Sequence, residues 1–418
     1  MTRDTRFWHP FADMGAVRGA ELVIERGEDV WVWDSEGRRY LDATAALWYA
    51  NVGHGRREIA EAVATQMGKI EAYSAFGDFA SPPALELADI LAERAPMPAR
   101  VFLTSGGGDS IDAAAKLARR YWYEVGETDR TLLVSRTRGY HGTHGYGTAI
   151  GGIAANRVGF GPQVEAEQVS HDSVEALEEL FSRVGPERVA AFFLEPVIGA
   201  GGVYPPGPRY IEGIAALCAR NDVLLVVDAV ICGFGRLGTW YGIERWDANP
   251  DMIVFAKGVT SGYLPLGGVI VSDRVAEPFW RAPGGPVFRH GATYAGHATC
   301  AAAALANIAI LEREGLIARG REMEDSLFGA LRPLAAHPAA GEVRGGVGTL
   351  AAVDLTPELC ERDPGAIARL TGAARDAGVL VRPIASGVAV SPPLTAQPEH
   401  FEQVAQAIAA GLDAAAAS

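Results

Sequence analysis

Short apolar runs, each followed by a turn and a helical pattern, organise the middle of the chain. They are Val101–Thr104, Thr131–Ser135, Val189–Leu194, Val223–Asp228 and Met252–Ala256. Strands that are apolar on both faces are typical of a parallel sheet covered by helices. A further run, Gly267–Ser272, follows so closely that it predicts an antiparallel return. The pattern therefore predicts an α/β fold with a mostly parallel sheet.

The two ends of the chain differ from its middle. Residues 30–42 alternate apolar and polar positions around a Ser-Glu-Gly turn and predict a β-hairpin. Helical patterns follow at Ile59–Ile70 and Pro83–Arg94. From about Ala301 a long Ala-rich helix leads into a mixed α and β tail, which ends in the helix Pro398–Ala416.

A chain of 418 residues is long for one compact core, so we expect two domains. Residues 55–300 would form the large α/β domain. Residues 301–418 would form a smaller α+β domain, completed by the N-terminal segment 1–54.

The charge balance excludes some partners. The chain has 37 Lys and Arg against 51 Asp and Glu, a formal net charge of −14. Such a charge repels phosphate backbones and anionic lipid heads. We expect no nucleic-acid and no membrane partner.

The cysteines and the termini favour a cytoplasmic enzyme. The four cysteines lie far apart with no CxxC spacing, which argues against a disulfide framework and a zinc site. Residues 1–10 contain no apolar signal region. The longest apolar run, Cys300–Leu311, is too short for a bilayer, which needs about 20 residues.

Functional groups of open α/β sheets gather at the carboxyl ends of the strands, and the first such end is rich in glycine. Val101–Thr104 runs into Ser-Gly-Gly-Gly-Asp-Ser, and a helix at Ile111–Tyr121 follows. Free amides at a helix start can hold a phosphate. The sequence has neither a P-loop nor a dinucleotide fingerprint here, and an ordinary glycine turn explains it equally well.

Other strands end in polar or aromatic residues. Tyr140 follows the second strand and could stack on a planar ring, although packing is the commoner role. Asp228 and Glu195 end apolar strands, where a buried carboxylate needs a partner, either a cationic ligand or a structural ion pair. Lys257 directly follows an apolar strand, a position that suits a desolvated amine nucleophile, although surface charge is the usual role of such a lysine.

Longer motifs resemble a known family. Residues 228–238 (DAVICGFGRLG), 251–268 (DMIVFAKGVTSGYLPLGG) and 290–299 (HGATYAGHAT) resemble segments of the class III aminotransferases, and the resemblance extends over nearly the whole chain. That family has pyridoxal phosphate (PLP) fold type I and includes ω-amino acid–pyruvate and amine–pyruvate transaminases. The resemblance implies a homodimer with shared active sites and PLP as cofactor.

The resemblance also implies roles for individual residues. Lys257 would be the Schiff-base lysine, and Asp228 the partner of the pyridine nitrogen. Further cofactor contacts would come from Gly107, Gly108, Tyr140, His141, Glu195, Val230 and, across the dimer, Thr293. The substrate pocket would be lined by Leu47, Trp48 and Tyr140. Arg382 would be a mobile arginine that binds a substrate carboxylate; a surface charge after a strand is the alternative, and the similar segment at Ser391-Pro-Pro-Leu favours the binding role.

Two positions depart from the family pattern. Ala229 follows Asp228 where the family usually has Glu, and Gly108 stands where Ser or Thr is common, so one hydroxyl contact should be missing. The expected activity is transfer of an amino group from an ω-amino acid or amine to a keto acid such as pyruvate. An aminomutase, racemase or epimerase, or decarboxylase of the same fold remains an alternative. A catalytically silent PLP-binding protein is an alternative of another class.

Overall fold

The computed structural model of this chain describes residues 5–417. Its strands are β1 Ile24–Glu28, β2 Trp31–Asp34, β3 Arg39–Asp42, β4 Ala99–Thr104, β5 Leu132–Arg136, β6 Ala166–Val169, β7 Val189–Leu194, β8 Leu224–Asp228, β9 Met252–Phe255, β10 Gly267–Ser272, β11 Ala340–Arg344, β12 Ala351–Leu355, β13 Val379–Leu380, β14 Arg382–Ile384 and β15 Gly387–Val390. Its α-helices are α1 Met14–Val17, α2 Ala45–Trp48, α3 Arg57–Met67, α4 Pro82–Glu93, α5 Gly107–Glu124, α6 Gly145–Ile150, α7 Val174–Val184, α8 Tyr210–Arg220, α9 Asp273–Trp280, α10 Ala298–Arg313, α11 Leu316–Glu322, α12 Glu324–Leu331, α13 Pro357–Arg362, α14 Ala366–Asp376 and α15 Pro398–Ala416.

The large sheet has the order β4-β10-β9-β8-β7-β5-β6. All of its strands run in one direction except β10, which is antiparallel to both β9 and β4. The predicted antiparallel return is thus confirmed, as is the mostly parallel α/β sheet. The sequence pattern did not indicate β6, whose Ala-Glu-Gln-Val sequence lies at the sheet edge and is only partly buried.

The large sheet is buried on both faces because its central strands are apolar throughout. Adjacent residues of β7 show this: Phe192 packs into the cluster on one face and Phe193 into the cluster on the other. On the first face, α10 contributes Ile308 and Leu311. On the second face, α5 contributes residues such as Trp122. Helices on both faces fix the sheet and leave its edges available for a site.

The ends of the chain meet in a second core. The predicted hairpin is confirmed by the antiparallel pair β2 and β3, to which β1 adds a strand that the pattern did not predict. β3 also pairs in parallel with β13, with Leu41 opposite Val379. Leu41 packs in one cluster with Val353 and Phe401 from the C-terminal third. The division of the chain at residues 54 and 300 stays a prediction.

The predicted helices occur with small shifts at their ends. The largest shift concerns α5, which begins at Gly107 rather than at Ile111, so the glycines form its first turn. Within residues 5–417, no helix is both long and apolar enough to cross a membrane.

Candidate active site

The carboxyl ends of β4, β9, β8, β7 and β5 lie on one edge of the large sheet. β4 and β9 share a direction because both are antiparallel to β10. The residues that follow these strands therefore meet at this edge, although they come from positions far apart in sequence. They are the glycines before and in α5, then Lys257, Asp228, Glu195 and Tyr140.

The first turn of α5 is a cradle built from backbone. Ser110 is the first residue of α5 to donate its amide to a backbone carbonyl, at 3.0 Å to Gly106 O, so the amides before it point beyond the helix end. A Cβ added to Gly107 would lie 3.3 Å from Cγ1 of Val230. The absence of a side chain at Gly107 thus lets the first turn of α5 approach Val230. The free amides at the start of a helix attract an anion.

Asp228 is buried and held in a fixed orientation. Its Oδ2 lies 2.8 Å from Nδ1 of His141, and its Oδ1 accepts the amide of Val230 at 3.1 Å. His141 is itself buried, with its ring packed edge-on against Phe193 at 6.0 Å between centroids. The carboxylate therefore has an imidazole partner behind it, which restrains its direction and offsets the cost of its burial.

Glu195 anchors the loop that carries Tyr140. Its Oε1 accepts the amide of Tyr140 at 2.9 Å, and its Oε2 accepts the amide of Gly199 at 3.0 Å. Burial raises the pKa of Glu195 above its ordinary value, and the nearby His141 opposes that rise. The contacts of Glu195 are with backbone, so within this structure it positions the loop.

Lys257 has a strained backbone and a desolvated amine. Its φ is +47°, in the left-handed region that residues other than glycine rarely adopt, at a cost of roughly 1–2 kcal/mol. Desolvation lowers the pKa of Lys257 to about 8, and the negative charges of Asp228 and Glu195 limit the decrease. At mildly alkaline pH much of this amine is uncharged, as a nucleophile or proton acceptor requires.

Arg382 and Tyr140 affect each other electrostatically. Burial lowers the pKa of Arg382, and Tyr140 opposes the decrease. Burial raises the pKa of Tyr140, and Arg382 opposes the increase. The same guanidinium also lowers the pKa of Lys257. Arg382 begins β14, and among the described residues it has no salt-bridge partner. A cation without a fixed anion thus lies near the lysine and the tyrosine.

Other candidate residues occupy distinct surroundings. Trp48 is buried among Ile231 and Ile384, whereas its neighbour Leu47 is 42% exposed and lines a groove of about 530 Å³ beside the N-terminal strands. Thr293 is exposed. Its loop packs near Phe76.

Sequence reasoning missed polar residues that support this edge. Asn307 of α10 donates its amide to the carbonyls of Gly258 and Val259, both at 2.9 Å, and so braces the turn after Lys257. Asn51 accepts a hydrogen bond from Nη2 of the buried Arg236 at 2.7 Å. A single asparagine inside an apolar helix was the available signal for Asn307, because such a group needs buried partners.

The residues at this edge fit PLP. The cradle offers amides to a phosphate, Asp228 offers a buried carboxylate to a pyridinium, and Lys257 offers a desolvated amine to a carbonyl carbon. A mostly parallel sheet with these groups at its carboxyl edge defines a PLP-dependent transferase of fold type I.

Comparison with known proteins agrees with this class. An (S)-enantioselective omega-transaminase from Thermomicrobium roseum superimposes with a TM-score of 0.93 at 39% identity, covering 98% of this chain and 96% of the other. An amine transaminase from an uncultivated Pseudomonas species, solved in its PLP-bound form, gives a TM-score of 0.92 at 35% identity, covering 99% of each chain. A putrescine–pyruvate aminotransferase of Pseudomonas aeruginosa is 36% identical over 98% of this chain and 94% of its own length.

The family assignment follows from the sequence as a whole. Residues 14–412 match the family described as Aminotransferase class-III. This chain belongs to the class III aminotransferases, which are PLP-dependent enzymes that transfer amino groups.

Proposed function

We propose that this enzyme moves an amino group from an amine or ω-amino acid to a keto acid such as pyruvate. The observation that carries the proposal is that Asp228 and Arg382 both lie within electrostatic reach of Lys257 at the carboxyl edge of the large sheet. The printed names of relatives support the substrate class: one is a putrescine–pyruvate aminotransferase, and one, from Halomonas elongata, a diaminobutyrate–2-oxoglutarate transaminase.

In this proposal each residue at the carboxyl edge of the sheet has a separate role. The amides of Gly107 and Gly108 would hold the cofactor phosphate, and Val230 and Tyr140 would pack against its ring. Bound PLP supplies an electron sink for the carbanion formed at the substrate carbon. Asp228, which His141 orients, would hold a proton on the ring nitrogen of the cofactor. Nζ of Lys257 removes the proton from the carbon that bears the amino group.

A spectroscopic experiment tests this function. Addition of an amine donor to the PLP-loaded enzyme should abolish the visible absorbance band and yield the aminated cofactor, and a keto acid should restore the band. A band that never responds to any amine would favour a silent PLP-binding protein. Racemisation of an amino acid with no keto acid present would favour the epimerase alternative.

Arg382 supplies the carboxylate specificity in this proposal. The site must accept a keto acid with a carboxylate and also an amine that carries none. A fixed buried cation would impose a desolvation cost on the apolar donor. A guanidinium with no salt-bridge partner among the described residues is able to pair with the carboxylate and withdraw when an apolar group enters.

We therefore expect Arg382→Ala to raise the KM for pyruvate by about 30-fold or more, which corresponds to a loss of roughly 2–4 kcal/mol. The half-reaction with an aryl-alkyl amine should change much less. Steady-state and single-turnover kinetics measure the two effects. The control is Arg362→Ala, which removes an exposed arginine of α13. It should change neither the KM for pyruvate nor the half-reaction with the amine. Equal losses for both substrates would contradict a carboxylate-binding role.

We also propose a homodimer with shared active sites. The face beside β4 exposes the aromatic side chains of Tyr73, Phe76, Phe79 and Tyr294, and Phe76 lines a groove of about 790 Å³. Exposed apolar area of this kind is typical of a subunit interface. Thr293 lies in this region, exposed in its own chain, so its hydroxyl is available to a second subunit.

Mixed dimers test this arrangement. Thr293→Ala should weaken PLP binding about tenfold, because one hydrogen bond to a charged phosphate is lost. Co-expression of Lys257→Ala with Thr293→Ala should restore activity at limiting PLP, since one site of the mixed dimer then has both residues intact. The pair Lys257→Ala with Asp228→Asn should restore much less, because neither of its sites is complete. No gain over Thr293→Ala alone would contradict a shared site.

We further propose a cytoplasmic enzyme whose partners, apart from its second subunit, are an amine donor and a keto acid acceptor. The four cysteines are free thiols, and three of them are buried, as suits a reducing compartment. The net charge of −14 disfavours nucleic acid and anionic membranes as partners.

A further inference from the structure

The phosphate cradle has a histidine beside its glycine. A Cβ added to Gly108 would lie 3.1 Å from both Cδ2 and Nε2 of His144 and 3.2 Å from Cε1. The loop before His144 also lies close to Gly108, since a Cβ added to Gly142 would lie 3.1 Å from Cα of Gly108. The imidazole therefore occupies the space that a side chain at position 108 would use.

Two carboxylates lie near His144, and neither occupies its Nε2. Its Nδ1 lies 3.3 Å from Oδ1 of Asp109, in the first turn of α5, where a carboxylate repels a bound phosphate. Asp112, one turn further, accepts the amides of Tyr146 and Gly147. Nε2 of His144 has no hydrogen-bond partner in residues 5–417. The His144 ring is able to donate Nε2–H to a bound phosphate, and this attractive contact would offset part of the repulsion from Asp109.

We propose that His144 is a phosphate-binding residue of the cofactor site and takes the place of the hydroxyl that Gly108 lacks. The inference rests on the proposed cofactor contacts of the cradle. In this arrangement Nδ1 lies 3.3 Å from Oδ1 of Asp109, and Nε2–H donates to a phosphate oxygen. The side chain is 50% exposed, so we expect a moderate contribution that solvent partly screens.

Cofactor affinity is the direct test. The apoprotein is titrated with PLP, and binding is followed by absorbance and by quenching of tryptophan fluorescence. His144→Ala should raise the Kd about 5- to 10-fold, less than for a fully buried bond to a charged group. His337→Ala is the matched control. It removes another histidine that pairs with an aspartate, Asp413 at 3.1 Å, and should leave the Kd within about twofold.

A rescue variant separates phosphate binding from loop support. Gly108 has no positive φ, so serine fits its backbone once the ring is gone. In the His144→Ala background, Gly108→Ser should return the Kd to within about twofold of wild type, since a hydroxyl replaces the imidazole N–H. With His144 present, the same serine should bring no gain, because the ring fills its space.

The ³¹P resonance of bound PLP gives a readout independent of activity. Its chemical shift should move in His144→Ala and stay unchanged in His337→Ala. An unchanged Kd, an unmoved resonance, or a failure of Gly108→Ser to recover affinity would each overturn the proposal. The response of the wild-type absorbance band to an amine donor decides the proposed function separately, so the two can fail independently.

Discussion

Replacing Lys257 with alanine is expected to lower turnover by about a thousandfold or more while the fold persists. In the proposed function the Lys257 amine is the proton acceptor, and positioned acid–base groups contribute roughly 10²–10⁴-fold. Alanine adds little backbone strain at φ +47°, because lysine already bears the same left-handed conformation. Circular dichroism and thermal unfolding check the fold, and steady-state kinetics check turnover.

The lysine content of the chain makes a covalent test simple. There are only three lysines, and Lys69 and Lys116 are exposed. Borohydride reduces a carbon–nitrogen double bond to a stable single bond. In the wild type it should attach the cofactor covalently to the peptide that contains Lys257. In Lys257→Ala it should label no peptide. Lys69→Ala serves as the control and should keep both turnover and labelling. Activity of the Lys257 variant within tenfold of wild type would refute the assignment.

Asp228→Asn is expected to slow the proton-transfer half-reaction by roughly 10²–10³-fold, the usual effect of removing one preorganised electrostatic group. The asparagine side chain has the shape of the carboxylate, and its oxygen can still accept a hydrogen bond from the backbone N–H of Val230. It carries no negative charge, however, to hold a proton on the ring nitrogen. PLP should remain bound, because the cradle at α5 is untouched. Single-turnover absorbance with excess amine donor measures the rate.

A second buried carboxylate provides the comparison for Asp228. Asp34, the last residue of β2, accepts a hydrogen bond from the hydroxyl of Tyr40 at 2.8 Å and one from Nε of Arg38 at the same distance. Asp34→Asn should lower the unfolding temperature and leave the half-reaction rate unchanged. If Asp228→Asn behaves in the same way, Asp228 serves only the structural contact with His141.

Several features of this protein could be read from local sequence. The apolar runs predicted β7 and β10 with the same limits that the structure shows, because a strand buried on both faces must be apolar at every position. The placement of Lys257 and Asp228 at one edge also followed, since parallel strands bring their carboxyl ends together. The roles of the site residues stay predictions that the experiments above decide.

Tertiary structure decided what local periodicity does not encode. The pairing of β3 with β13 joins residues more than 300 positions apart, and the contact of His141 with Asp228 joins residues 87 positions apart. The polar edge strand β6 and the start of α5 at Gly107 also became visible only in the fold. Periodicity reports which face of an element is buried, whereas strand order, register and the imidazole of His144 beside Gly108 depend on how distant elements pack around the shared cores.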